Sequence, residues 1–267
     1  MKLKFSRKSL CIPYSVFLIL FVIFPLLILL YYGFTDASGR VTLGNFGKFF
    51  TNPTTISTML ISIGLALITT LICLLLAYPT AFILARSGIK RRNVLLLLFI
   101  MPMWINFVLR INALKEMLDL VGMLGKYNFL NTVLGMVYDF LPFMILPLYT
   151  TLIKLDGNLL EASADLGAGK THTFFKVILP LSMPGILSGI TMVFMPTMTS
   201  YVVSDTLGQG HVYIIGKQIE QYFIGTYRDP HIGSTIAFIL LIIIFATTLI
   251  SGKFRDENLE RRGAQLW

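Results

Sequence analysis

Residues 164–171, Ala-Asp-Leu-Gly-Ala-Gly-Lys-Thr, carry the loose form of a phosphate-binding loop: a small residue, four others, then Gly169, Lys170 and Thr171. In that chemistry successive backbone N–H groups cradle phosphates and the lysine reaches the terminal phosphoryl oxygens. The arrangement needs a buried strand before the loop and a helix after it. Upstream, LPLYTTLIKLDGNLLEAS instead reads as the end of an apolar run followed by a polar helix former, and the segment 154–182 is too short to house a nucleotide domain. The phosphate-loop reading fails. Other reactive side chains are no better placed. His172, His211 and His231 are scattered, Cys11 and Cys73 lie in apolar segments without metal-ligand spacing, and no Ser/His/Asp set shares a loop. Neither an enzyme nor a metal or cofactor site is expected in this chain.

The elements that must position these residues are apolar. The 267 residues are 55% hydrophobic and 13% charged, with a mean hydropathy of +0.78, against about 25% charged in a typical soluble domain. A bilayer crossing takes about 20 apolar residues at 1.5 Å rise each. Six runs reach that length: about 12–32, 56–85, 94–114, 132–153, 183–203 and 232–252. They predict an all-α integral membrane protein in a lipid bilayer, a single membrane domain over 1–267. Pro79, Pro102, Pro142, Pro147 and Pro196 fall in or near these runs, where neighbouring helices can satisfy the carbonyls a proline frees. The first run follows a basic start (Lys2, Lys4, Arg7, Lys8) and ends in Tyr31 and Tyr32, residues suited to a membrane–water interface. It is too long for the core of a cleaved signal peptide and reads as a retained helix.

The net charge of +9 sits in short clusters between the runs, the pattern of topology signals and not of nucleic-acid binding. Of the 22 Lys and Arg, 15 fall on the side of the two termini and the 154–182 loop, and 7 on the other. Positive-inside asymmetry thus predicts that both termini and that loop are cytoplasmic.

Within the loop, Asn158 with Glu161 three residues on reads as a helix cap with its capping-box partner. A short helix, LLEASADL, is expected from there to a Gly167-Ala168-Gly169 corner. A second helix across THTFFKVILP would stop near Pro180, the pair lying flat beneath the membrane. The stretch EASADLGAGKTHTFFKVILPLSMPGI, 161–186, resembles the cytoplasmic signature of ABC-importer permeases: Glu-Ala-Ala, three residues, Gly, nine residues, Ile-x-Leu-Pro. Glu161, Ala162, Gly167, Leu179 and Pro180 match in register, while Ser163 replaces the second Ala and Val177 the Ile. The resemblance implies a type I ABC-importer permease fold with six transmembrane helices and a cytoplasmic coupling helix. That helix would dock through Glu161, Ala162, Ser163, Asp165, Leu166 and Gly167 on a separate ATPase subunit, which binds the ATP and Mg.

Further segments, AYPTAFILAR (77–86), MPMWINFVLRINALKEML (101–118), LPFMILPLYTTLIKLD (141–156) and YVVSDTLGQGHVYIIGKQI (201–219), are similar to spermidine/putrescine permeases. They look closer to the first of the two paired subunits. The likeness spans most of the chain and is weakest at the N-terminal tail and at 33–55. It implies a heterodimer with a second permease, two copies of a cytoplasmic ABC ATPase, an extracytoplasmic polyamine-binding protein, and a place in a prokaryotic inner or plasma membrane. A polyamine is a flexible chain of several ammonium groups, so its pathway should offer aromatic faces and carboxylates.

Trp104, Tyr138, Asp139, Tyr201 and Asp205 are candidates for the outer halves of the spans. Asp139 sits roughly 10 Å inside the fourth run by helical rise, where a carboxylate needs a polar cavity or a partner. Trp104 suits the pathway or an interfacial anchor equally. In the fifth run Met192, Met195, Thr199 and Val202 share a face, with Met198 nearby; they fit a flexible gate or a packed helix seam. Gly185, Ser188 and Gly189 permit close helix packing. The loop 204–231, with Asp205, Glu220 and Asp229, either meets the binding protein or is an ordinary solvated loop. Two other readings stay open. One is an ABC permease for another small solute, such as phosphonate, ferric iron, sulfate or sugar. The other is an ATPase-independent channel, against which 161–186 argues.

Overall fold

The computed structural model describes residues 11–88 and 90–264; the basic start, Lys2, Lys4, Arg7 and Lys8, lies outside them. In hydrocarbon every backbone N–H and C=O must find its partner within its own segment, which makes the helix the solution for the apolar runs. Five helices are long and apolar enough to cross a membrane: α1 (Ile12–Gly33), α3 (Pro53–Arg86), α6 (Asn128–Leu152), α8 (Lys170–Thr199) and the Pro230–Leu249 stretch of α11 (Pro230–Ala264). Between them lie α2 (Gly44–Thr51), α4 (Arg92–Ile100), α5 (Phe107–Leu120), α7 (Asn158–Asp165), α9 (Tyr201–Gly208) and α10 (Ile215–Phe223). Among the described residues there is no strand, only one bridge between Thr35 and Val41.

The third apolar run, expected as one span over 94–114, is bent. α4 passes through a 3-10 turn, Met101–Trp104, and meets α5 at 94°. Pro102 withholds an amide donor, Ile105 is extended, and Asn106 starts a new helix by accepting the Val108 and Leu109 N–H groups at 2.9 and 3.4 Å. Counted as one broken span, the pair brings the total to six.

α8 overturns the expected stop at Pro180 and the flat pair of short helices, because its first turns lead without a break into a span-length helix. It contains a π turn at Phe174–Ile178, where the Leu179 N–H bonds to the Phe174 carbonyl five residues back. The ladder is already widened where Pro180 removes its donor, so the helix continues. The break comes at Ser200 (φ −75°, ψ 63°), and α9 begins at Tyr201. The fifth span therefore ends at 199 and not 203, and Val202 does not extend the face of Met192, Met195 and Thr199.

The chain divides into two compact units, and α3, α10 and α11 contribute residues to both. In the unit of Thr58–Lys217 and Ile244–Trp267, α6 is the centre: 61% of its most apolar window is buried. α8 lies along it because its glycines leave room. A Cβ at Gly185 would sit 2.7 Å from Thr151 Oγ1 and 2.9 Å from the Pro147 carbonyl, and one at Gly189 would strike the Met144 sulfur. Met144, Leu148, Leu152, Ile186 and Val193 fill the core there. At the other end of α6, a Cβ at Gly135 would collide with Leu207 and reach Val203, so α9 is seated closely on this helix. Leu67, Leu71 and Leu75 of α3 stay exposed, a surface suited to lipid.

In the unit of Met1–Ser57 and Gln218–Ile243, none of the most apolar window of α1 is buried, leaving its surface for hydrocarbon. Its C-terminal end is fastened by polar contacts. Asn45 Nδ2 donates to the Gly33 and Thr35 carbonyls at 3.3 and 2.9 Å, and Thr235 Oγ1 donates to Gly33 at 3.3 Å. Phe238 packs edge-on against Phe34 and Phe46 at this point, and those two rings are tilted against each other. The 204–231 segment is neither a plain loop nor uniformly solvated: it holds the end of α9 and all of α10. Burial, with Tyr227 and Asp229 nearby, pushes the Tyr222 hydroxyl above the ordinary tyrosine range, and Asp229 caps α11 by accepting the His231 and Ile232 N–H groups.

Candidate functional site

α7 connects two span-length helices and buries none of its residues. Its start is held by Asp156, whose Oδ1 accepts the Asn158 N–H at 3.0 Å. Asn158 is therefore already helical and caps nothing, and the expected capping box with Glu161 is not formed. The carboxylate two residues upstream closes its turn first. The end is a glycine-terminated cap: the Gly167 N–H bonds to Ala164 at 2.9 Å and the Ala168 N–H to Ser163 at 3.0 Å. This cap needs the left-handed backbone that Gly167 adopts at φ +77°. Glu161, Ala162, Asp165, Leu166 and Gly167 are all exposed, Leu166 to 88%. Residues 164–171 are thus a helix end, a turn and a helix start with no strand leading in, which is not the setting of a phosphate cradle.

Ser163 differs from the other coupling candidates. It is half-buried and its hydroxyl hydrogen-bonds Thr173 Oγ1 at 2.9 Å, tying α7 to α8. Behind the helix is a cavity of ≈ 600 Å³ lined by Phe82, Leu160, Ala164 and Phe174, with Lys170 among its walls. The hydroxyl pair and the packing of Leu160 on the core hold the corner. Ser163→Ala should cost this corner about 1 kcal/mol, speeding amide exchange in α7 by roughly fivefold while leaving α6 unchanged.

The pathway candidates fall into two groups built alike. Tyr138 and Asp139 are neighbours on α6, and Asp139 forms an ion pair with Arg110 of α5. The Arg110 guanidinium carbon also lies 5.7 Å from the Tyr138 ring centre. Both charged side chains are closed off, at 6% and 8% exposure, and Arg110 Nε and Nη1 have no hydrogen-bond partner among the described residues. Tyr201 and Asp205 stand one turn apart on α9. Lys217 Nζ from α10 lies 2.8 Å from Asp205 Oδ2 and 5.5 Å from the Tyr201 ring centre. Here exposure is 18% for the lysine and 45% for the aspartate.

Burial decides how firmly each pair holds. Removing one partner of a buried pair costs about 3–5 kcal/mol, because the other charge is stranded. A partly exposed pair contributes about 0–1 kcal/mol. The arginine pair is a strut between α5 and α6, and the lysine pair is partly open to solvent.

The remaining candidates do not join these groups. Trp104 is 78% exposed and makes no ring contact among the described residues. Met198 is fully buried, Met195 half-buried and Met192 49% exposed, so the methionines face different surroundings. Sequence reasoning treated Arg110 and Lys217 only as topology charges. An arginine inside an apolar run, with an acid inside the next, was a readable signal for Arg110. For Lys217 there was none.

A family model described as the binding-protein-dependent transport system inner membrane component matches residues 77–262. The chain is 37% identical over 282 residues to the spermidine/putrescine transport system permease protein PotB of Haemophilus influenzae, covering 95% of this chain and 98% of that protein. To PotB of Escherichia coli it is 37% identical over 254 residues, covering 87% of this chain and 92% of that protein. In fold it is similar to a chain of a bacterial ABC transporter involved in import of the acidic polysaccharide alginate, with a TM-score of 0.72 at 14% identity over 92% of this chain and 94% of that one. An amino acid ABC transporter gives 0.59 at 18% identity over 82% and 99%. With helices long enough for five or six crossings, and with relatives matched along nearly its whole length, this chain belongs to the inner membrane components of binding-protein-dependent transport systems, in the family of the spermidine/putrescine permeases.

Proposed function

We propose that the chain is one of two paired permease subunits of an ATP-driven importer for spermidine and putrescine. The observation that carries this reading is the near full-length likeness to spermidine/putrescine permeases. A second permease completes the pathway, and an extracytoplasmic binding protein delivers the polyamine. Two copies of a cytoplasmic ABC ATPase bind the ATP and Mg. The charge asymmetry of the loops supports cytoplasmic termini and a cytoplasmic α7.

α7 is then the coupling helix. Its exposed face mixes Leu159 and Leu166 with small Ala162 and Gly167 and the acids Glu161 and Asp165, a surface that a cleft on another subunit can approach closely. Pairing of the ATPase subunits moves α7, and α8, joined to it by four intervening residues, carries that motion into the bundle. Tyr201 and Asp205 give the outer part of the bundle an aromatic face and a carboxylate suited to ammonium groups, while Tyr138 and Asp139 are already engaged by Arg110 and support the wall beside them. Of the other candidates, half-buried Met195 is the one placed to serve as a gate; Trp104 is exposed and Met198 is packed in the core.

Uptake of labelled spermidine tests this. In cells lacking the chain, uptake is expected at background and is restored by the wild-type copy. Glu161→Ala should reduce it roughly tenfold or more, as for a residue central to a docking interface. Undiminished uptake in the deletion strain, with no redundant system present, would remove the polyamine assignment.

A further inference from the structure

A lysine side chain is a tetramethylene arm ending in a primary ammonium, the same group that ends putrescine and the aminobutyl end of spermidine. Lys217 places that group 2.8 Å from Asp205 Oδ2 and 5.5 Å from the centre of the Tyr201 ring. A carboxylate and an aromatic face are the two elements that recognise an alkylammonium. Tyr201 and Asp205, four residues apart, lie on one side of α9. The break at Ser200 frees that helix from the line of α8.

Lys217 is delivered from the start of α10, whose backbone is held in two ways. The Ile215 N–H donates to Ser62 Oγ at 2.7 Å, and Gly216 lies so close to the Thr199 carbonyl that no Cβ fits. The ammonium position is therefore built, and part of it is open: Asp205 is 45% exposed. The pair of Arg110 and Asp139 repeats the chemistry but is sealed. Of the two, only the lysine pair can exchange its cation with a solute.

We propose that Asp205 and Tyr201 form an ammonium subsite of the translocation pathway, and that Lys217 occupies it as a tethered stand-in which one end of a polyamine displaces. This rests on the polyamine reading. The lysine competes with the substrate, so the apparent affinity is the intrinsic affinity reduced by the fraction of time the site is free. It also returns to the carboxylate once the substrate moves on, which favours passage in place of retention.

The test is equilibrium binding of labelled spermidine to the complete permease–ATPase complex in lipid nanodiscs, without the binding protein, alongside uptake by the wild-type complex with it. Lys217→Met and Lys217→Gln should each tighten binding about two- to sixfold by removing the competitor, and Lys217→Arg should not. Asp205→Asn should weaken binding about tenfold or more, and in that background Lys217→Met should have no effect. A gain of affinity on removing a side chain is not produced by a strut. Unchanged or weaker binding in Lys217→Met, or the same gain with Asp205 already replaced, overturns the proposal alone. Absence of spermidine uptake by the wild-type complex overturns the polyamine reading and this proposal with it.

Discussion

Gly167→Asp is expected to leave the chain inserted in the membrane and to abolish its association with the ATPase subunit. The fold tolerates the change. A Cβ at Gly167 meets nothing within 4 Å, so only the backbone at φ +77° resists it. Asp is among the residues that enter the left-handed region most readily, at about 1 kcal/mol. What changes is the exposed corner, which gains a carboxylate beside Asp165. In a docking cleft that charge is desolvated without a partner, at about 3 kcal/mol or more, which is roughly a hundredfold in affinity. Capture of the ATPase from detergent-solubilised membranes reads the effect directly. Capture at the wild-type level, with the variant present in the membrane at normal amount, would mean that α7 is not the docking element.

Breaking the strut has the second large effect, and it acts on stability. Arg110→Ala and Asp139→Ala should each lower the unfolding free energy in micelles by about 3 kcal/mol, since each strands a buried charge. The double variant Arg110→Met with Asp139→Leu removes both charges and fills their space, and should return to within about 1 kcal/mol of the wild type. Unfolding by titration with a denaturing detergent gives the four corners of the cycle. A double variant as unstable as either single one would show that the pair is not the unit that matters. The expected result also separates the two acids singled out as pathway candidates: Asp139 holds α5 to α6, and Asp205 is the one a solute can reach.

The α7 corner was the most legible part of the site. Its turn is closed by hydrogen bonds between residues three to five apart, and a glycine was needed wherever such a cap ended the helix. Its start was misread because Asp156 and Asn158 are both able to cap, and only the backbone path decides which does. The bend in the third run was written locally in Pro102 and Asn106, but hydropathy averaged over 94–114 hides it. Pro180 misled for a related reason. A proline stops a helix by its clash with the preceding turn, and the π turn at Phe174–Ile178 had already opened that turn.

That this is an all-helical membrane protein, and where four of its crossings lie to within a few residues, is legible in the order of the residues alone. Hydrocarbon forces each segment to satisfy its own backbone, so length and apolarity are sufficient evidence. The same order also placed a short helix ended by Gly167 between α6 and α8, because those contacts are local. Which cation each acid holds emerges only when the helices are packed together. Asp139 meets an arginine 29 residues away and Asp205 a lysine 12 residues away. Coulomb attraction depends on distance and burial, and both are set by how glycines such as Gly135 and Gly216 let one helix settle against another.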